Sequence, residues 1–184
     1  MRRTQTMTNF QKFLSYISEN KLIHLVTPEL IDWLINSGYF TAPASTKYHG
    51  NHEGGLWEHS LCVAEELNKL TFKNDLCWQR WESPFIVGLF HDLCKCDQYL
   101  QNEDGTYRYN TDADRRHAEK SIEILERFVE LTDEERLCIR YHMGAYRTED
   151  WQNHNYEMDD AIAEYETVMW THWADMLASK KYGT

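Results

Sequence analysis

The segment from Phe85 to Lys95, FIVGLFHDLCK, begins apolar and then places an imidazole beside a carboxylate, at His91 and Asp92. Burying this much polarity costs several kcal/mol unless a partner compensates for it. Imidazole nitrogen and carboxylate oxygen are both ordinary ligands of divalent cations. The pair therefore indicates a buried metal site, provided that other segments of the chain supply further ligands.

Further ligand-type residues fall on the core-facing stripes of other predicted helices. They are His59, His117, His142 and Asp175. One histidine on an apolar face is usually a hydrogen-bonded core residue, and Asp175 alone could cap a neighbouring helix. An apolar core would need a separate partner for every one of these side chains, whereas one shared metal centre satisfies all of them. We therefore predict that they converge.

Composition limits the classes of function. The chain has 184 residues, seven Trp and eleven Tyr, which is typical of a globular protein with one full-sized core. A formal net charge of −11 argues against long nucleic acid as a partner, because phosphates need a basic surface. A small phosphorylated substrate is compatible with it, since bound cations make a cleft locally positive.

Features that decide the cellular compartment are few. No apolar run of transmembrane length and no signal peptide are visible. The five cysteines are odd in number and lie mostly in apolar helical patterns, so we interpret them as reduced, buried thiols. These observations favour a cytoplasmic protein without a membrane segment.

Hydrophobic periodicity predicts an all-α fold of roughly seven helices in a single domain, 1–184. The predicted helices are 8–20, 28–38, 56–72, one opening at Ser83–Pro84, 115–129, 132–143 and 159–180. Residues 1–40 are predicted to contain N-terminal helices, and a short β-hairpin is predicted near 98–110. Residues 144–158 are interpreted as an aromatic loop, which could be a lid, a cover for the core or a dimer contact.

Particular residues mark where helices begin. Thr27 followed by Pro28 is an N-cap with proline at the first helical position, and Ser83–Pro84 is expected to open its helix in the same way. Thr132 and Glu135 have the spacing of a capping box. Asp159 is expected to cap the last helix.

Taken in order, these residues resemble the HD-domain superfamily of metal-dependent phosphohydrolases, whose signature is H…HD…D. The sequence segments around these residues also resemble motifs of the family: GGLWEHS at 54–60, HDLCK at 91–95, HAEKS at 117–121, IRYH at 139–142 and ADMLAS at 174–179. The resemblance covers 48–179. Arg116 departs from it, because similar sequences usually have glycine at that position.

The resemblance implies a ligand set. One cation would be bound by His59, His91, Asp92 and Asp175. A second would be bound by His117 and His142, with Asp92 bridging the two. Mixed nitrogen and oxygen ligands without thiolate suit Mn, Fe, Co, Ni or Zn better than Ca or Mg. One or two ions of such a divalent transition metal are therefore expected.

The resemblance also implies substrate contacts. Lys95, predicted to lie one turn beyond His91, would hold phosphate and act with Asp92 in catalysis; the alternative is a surface lysine at a helix C-terminus. Tyr99 could line the same cleft. His49 and His52, on the loop that leads to Gly54 and Gly55, are weaker candidates for substrate contact. His172 is expected to support Asp175.

The function implied by the resemblance is hydrolysis of a phosphate ester of a small molecule, foremost a nucleotide, by metal-activated water. Three alternatives stay open: a phosphodiesterase or exonuclease acting on short nucleic acid, a diiron oxygenase, and a non-catalytic nucleotide-binding module. Homodimer formation is compatible with the sequence and is not indicated by any particular residue.

Overall fold

The computed structural model describes residues 7–144 and 151–181, with the backbone alone over 151–156. Within these ranges the fold is mostly α, as predicted, and the only strands form one small hairpin. The α-helices are α1 Asn9–Glu19, α2 Pro28–Asn36, α3 Gly55–Asn74, α4 Ser83–Phe90, α5 His117–Leu125, α6 Asp133–Tyr141, α7 Trp151–Glu164 and α8 Thr167–Lys181. Short 3₁₀ helices occupy Ile23–Leu25 and Leu93–Cys96.

Two of the predicted helix starts are confirmed. The Thr27 hydroxyl accepts a hydrogen bond from the backbone N–H of Leu30, with Pro28 as the first residue of α2. Thr132 and Glu135 form both bonds of the capping box at the start of α6. These caps satisfy N–H groups that the first helical turn leaves without partners.

Helix α4 opens at Ser83–Pro84 as predicted, but the N-cap role expected of Ser83 is wrong. Ser83 is the first residue of α4, and the N-cap is Glu82. Its hydroxyl instead donates a hydrogen bond of 2.8 Å to the buried carboxylate of Glu135, which also pairs with Arg80. A buried carboxylate needs several donors, and this demand across the core determines where the serine points.

The C-terminal part also differs from expectation. Residues 151–158 are helical rather than a loop, and Asp159 lies within α7 instead of capping the last helix. That helix, α8, begins at Thr167, whose hydroxyl donates a 2.6 Å hydrogen bond to the buried Glu134 of α6. Residues 145–150 of the expected loop lie outside the described residues. No glycine or proline marks the break between α7 and α8, so the sequence alone gave no signal for it.

The predicted hairpin is confirmed. Strands β1 (Tyr99–Gln101) and β2 (Tyr107–Tyr109) pair antiparallel, with Tyr99 opposite Tyr109. Gly105 takes a φ of +83° in the turn, a value that costs glycine little because it has no Cβ. The hairpin therefore holds two tyrosines side by side on the chain that follows the 91–95 segment.

Close packing of α3 against α4 fixes the centre of the fold. A Cβ atom added to Gly88 on α4 would lie 2.6 Å from the backbone nitrogen of Ala64 on α3, which is too close for any side chain. Helix α8 packs on α3 and α6, and α5 packs on α6. Among the helices of the described ranges, none combines the length and the hydrophobicity that a membrane span requires.

Candidate metal centre

The helix ends and faces described above bring six side chains to one place. His59 lies on α3, His91 and Asp92 follow α4, His117 starts α5, His142 follows α6, and Asp175 lies on α8. The predicted convergence of these residues is therefore observed as geometry. Five of the six side chains are buried, and His117 is half-buried at the edge of the cluster.

The carboxylate of Asp92 is the centre of this cluster, and its two oxygens face different imidazoles. Oδ2 lies 3.3 Å from Nε2 of His91 and 3.6 Å from Nε2 of His59. Oδ1 lies 3.1 Å from Nε2 of His117 and 3.5 Å from Nε2 of His142. Two pairs of histidines thus lie nearest to different oxygens of one carboxylate.

Asp175 joins the Oδ2 side of the cluster. Its Oδ1 atom is 3.0 Å from Nε2 of His59, and that nitrogen is in turn 3.3 Å from Nε2 of His91. Ligand atoms of His59, His91 and Asp175 all lie within 4.8 Å of one another, as do those of His91, Asp92 and His142. A cation on the Oδ2 side of Asp92 would find His59, His91 and Asp175 together, and one on the Oδ1 side would find His117 or His142 beside the carboxylate.

Backbone carbonyls orient two of the imidazoles. Nδ1 of His91 donates to the carbonyl of Gly88 at 3.0 Å, and Nδ1 of His142 donates to that of Ile139 at 2.6 Å. A carbonyl only accepts, so the hydrogen of each neutral ring must sit on Nδ1. Both Nε2 lone pairs therefore point towards the carboxylate, the arrangement that metal-binding histidines adopt.

Several buried polar atoms have no hydrogen-bond partner among the described residues, and this tests whether a cation fits. They include Oδ1 of Asp92 and the Nε2 atoms of His117 and His142. The 3.1 Å approach of His117 to Asp92 lacks hydrogen-bond geometry. The Nε2 of His142 carries a lone pair, because its Nδ1 donates to Ile139, and a lone pair that faces a carboxylate oxygen repels it unless a positive charge lies between them. The donor set therefore suits a divalent transition metal.

The charges of the site lead to the same conclusion. Burial by itself would raise the pKa of Asp92, but the nearby Lys95 and His91 outweigh it and hold that pKa well below its usual range. The pKa of Asp175 is also lowered, because its hydrogen bond to His59 outweighs burial. Burial lowers the pKa of His117 in spite of Asp92. Two carboxylates against one ammonium leave net negative charge wherever the imidazoles are neutral.

Lys95 reaches the site by a different backbone path from the expected one. Helix α4 ends at Phe90, and Lys95 lies on the following 3₁₀ helix, where its Nζ is 2.7 Å from Oδ2 of Asp92. Burial lowers the pKa of Lys95, but Asp92 outweighs this effect and the net pKa is raised. The alternative of a surface lysine is wrong, because only 8% of the residue is exposed.

A cavity of about 630 Å³ opens beside the cluster. Its wall includes Asp175, His117, Lys95, Tyr99 and His49. Four of the predicted site residues therefore face a space that a small molecule could enter, as does His49 from the weaker group. His52 does not line this cavity: it is exposed, with Nε2 3.5 Å from a carboxylate oxygen of Glu58.

His49 lies over the histidine cluster. Its ring centroid is 4.9 Å from that of His59, and its Nε2 is 3.3 Å from the hydroxyl of Ser179. Burial lowers the pKa of His49 to about 4, and the neighbouring His59 and Lys95 add to the effect. The imidazole is therefore neutral at pH 7 and can either donate or accept one hydrogen bond in the cavity.

Two further contacts support the imidazoles. The thiol of Cys94, expected to be merely a buried side chain, has its Sγ 2.9 Å from Nδ1 of His117. His172, expected to support Asp175, instead donates from Nδ1 to the carbonyl of His142 at 2.7 Å. Both contacts join residues far apart in sequence, so no local sequence pattern predicts them.

Comparison with curated proteins finds a similarity to dihydroneopterin 2′,3′-cyclic phosphate phosphodiesterase of Methanocaldococcus jannaschii, with 29% identity over 100 residues. The match covers 53% of this chain and 38% of the relative, so it spans less than half of the relative's length. No family model matches the chain. No solved structure matches it either.

Proposed function

We propose that this protein is an HD-domain phosphohydrolase that cleaves a phosphate ester of a small molecule at the Asp92-centred site. The observation that carries the proposal is the division of four imidazoles between the two oxygens of one buried carboxylate. This is the arrangement that a bridging aspartate between two cations requires. The similarity to a phosphodiesterase supports hydrolysis of a small phosphorylated substrate.

Each side chain has a role that follows from its position. His59, His91 and Asp175 would hold one divalent cation, His117 and His142 a second, and Asp92 both. Such cations, when bound, lower the pKa of a coordinated water towards ~7 and neutralise phosphate oxygens. The carbonyl partners of His91 and His142 keep their Nε2 atoms free of protons.

Lys95 is the residue proposed to hold the phosphate. Its ammonium group is at the boundary between the cluster and the cavity, touching Asp92 and lining the wall. An ammonium in a buried site attracts an anion strongly, because water screens it little. His49 and Tyr99 face the same space and are proposed to contact the substrate next to the phosphate.

The named substrate of the relative narrows the class to be tested. That relative acts on a 2′,3′-cyclic phosphate, which is a phosphodiester of a small molecule. A cavity of about 630 Å³ is within the ~300–1,000 Å³ range of small-molecule sites. We therefore propose 2′,3′-cyclic phosphates of nucleosides, or of similar ring compounds, as the first substrates.

The test combines metal analysis with a substrate panel. Protein stripped with a chelator is reconstituted with Mn, Co, Ni, Zn or Fe, and its metal content is measured. Cyclic nucleotides, nucleoside monophosphates, bis(p-nitrophenyl) phosphate and labelled oligonucleotides are then assayed for hydrolysis. We expect turnover of a small phosphodiester that depends on added metal. Iron-dependent oxygen uptake, or preferential cleavage of oligonucleotides, would favour one of the other functions instead.

Asp92→Asn provides the decisive variant. It should lose bound metal and at least ~100-fold in activity, because a neutral amide can neither bridge two cations nor balance their charge. The matched control is Asp97→Asn. Asp97 lies five residues after Asp92, is exposed and pairs with Lys120. Full activity in metal-free protein, or in Asp92→Asn, would refute the proposal.

A further inference from the structure

Gln98, the residue before β1, has a buried side-chain amide of which only one end is hydrogen-bonded. The residue is only 7% exposed and lines the cavity beside Lys95 and Tyr99. Its Nε2 donates a 3.0 Å hydrogen bond to the hydroxyl of Tyr109. Its Oε1 is buried and has no hydrogen-bond partner in the described part of the chain. A buried acceptor left unpaired costs free energy, so a ligand that supplies the missing donor gains affinity.

Tyr109 supplies the complementary group. Its hydroxyl oxygen accepts from Gln98, and within the described residues the hydroxyl hydrogen has no acceptor. Tyr109 also lines the cavity and is 38% exposed, so this hydrogen is free to turn towards a ligand. Gln98 and Tyr109 together therefore offer one acceptor next to one donor.

The hairpin adds an aromatic surface beside these groups. Tyr99 and Tyr109 are directly opposite each other in the β1–β2 register, with ring centroids 6.0 Å apart in an edge-on arrangement. Both rings line the cavity. Aromatic side chains pack favourably against other planar rings, so this pair offers a surface for a heterocycle.

We propose that Gln98 and Tyr109 recognise the edge of a planar heterocycle in which a ring N–H lies beside a carbonyl. The lactam edge of a hydroxypurine or of a pterin has this pattern. Oε1 of Gln98 accepts from the ring N–H, and the hydroxyl of Tyr109 donates to the carbonyl. The inference rests on the proposed function for the other end of the ligand, where Lys95 faces the phosphate.

Two ligands that differ only at this edge test the inference. Inosine 3′-monophosphate has the N–H and carbonyl, whereas purine riboside 3′-monophosphate has neither. Their affinities for the manganese-reconstituted protein are measured by calorimetry, which needs no turnover. We expect the wild-type protein to bind the inosine compound about 10- to 100-fold more tightly, the range expected for hydrogen bonds to otherwise unpaired buried groups.

Two variants assign the preference to these residues. Gln98→Leu should reduce the ratio of the two affinities to about one. Tyr109→Phe, a conservative change at a partly exposed side chain, should lower the ratio while keeping the ring. The matched control is Gln101→Leu, an exposed glutamine of β1 that does not line this cavity and should keep the wild-type ratio.

The possible results separate cleanly. Equal binding of both ligands by the wild-type protein, or no measurable binding of either, overturns the inference. So does a Gln98→Leu protein that weakens both ligands by the same factor, because that would be a structural effect. A clear preference together with no metal-dependent hydrolysis of any phosphate ester in the panel would instead refute the proposed function and leave the recognition of the ring standing.

Discussion

Replacing His142 with alanine tests the division of the site into two sides. His142 is completely buried, and its Nε2 faces Oδ1 of Asp92 at 3.5 Å. The change removes a donor from the Oδ1 side and leaves His59, His91 and Asp175 on the other side intact. We expect the metal content of the reconstituted protein to fall from two ions per chain to one.

The size of the effect follows from linkage between binding and folding. A cation present at about 100 times its dissociation constant stabilises the folded protein by about 2.7 kcal/mol. For a chain of 184 residues, each kcal/mol corresponds to ~2–4 °C in melting temperature. Loss of one cation should therefore reduce the metal-induced rise in melting temperature by about 5–11 °C.

The assay must separate metal loss from the cost of the deletion itself. Removing a buried imidazole destabilises the metal-free protein too, so each protein is melted with and without manganese and only the difference is compared. Metal content is measured on the same samples. His24→Ala is the matched control, because His24 pairs with Glu82 and its side chain is 53% exposed.

Two outcomes would refute the reasoning. If His142→Ala retains two ions and the full metal-induced shift, His142 does not bind a cation. If it loses all metal at once, the six residues form one shared site, and Asp92 does not divide it. A His117→Ala protein should behave like His142→Ala in either case, since both rings face the same oxygen of Asp92.

Three further changes test other parts of the structure. Gly88→Ala should cost at least ~3 kcal/mol in unfolding free energy, because the new methyl group would meet the backbone of Ala64; a melting temperature within 2 °C of wild type, as an order-of-magnitude limit, would contradict this. Arg80→Met should lower the unfolding free energy measured in urea by roughly 3 kcal/mol, since it leaves the buried Glu135 without its cation, and an unchanged midpoint would count against the pair. The pKa of His49 is about 4 in the folded protein against an ordinary 6.5, so the unfolded chain binds the proton more tightly. Stability of the metal-free protein should therefore decrease as the pH falls from about 6.5 towards 4, and His49→Gln should weaken that dependence in pH-resolved melting curves.

Much of the fold was readable from local patterns. The caps at Thr27 and Thr132 and the hairpin near 98–110 depend on neighbours in sequence, and all three are confirmed. The convergence of the histidines was also predictable, because each sits on an apolar stripe that must face the core. That 1–184 forms a single domain stays a prediction, and homodimer formation stays an open possibility.

The features that sequence reasoning missed depend on contacts between distant segments. The hydroxyl of Ser83 turns to Glu135 because of a charge buried 52 residues away in the chain. The break before Thr167 coincides with a hydrogen bond to Glu134 on another helix. The role of Gln98 depends on the hydroxyl of Tyr109 being within 3.0 Å, which only the paired hairpin determines. Local periodicity contains none of this information.

The carbonyl that orients His91 belongs to Gly88, the residue at which α4 touches α3. Any substitution that slides or rotates one of these helices against the other will therefore also turn the imidazole. Selection for close helix packing and selection for the correct orientation of the His91 imidazole therefore act on the same backbone atoms. Mutations remote from the cavity that loosen this crossing should show up as weakened cation affinity before they show up as unfolding.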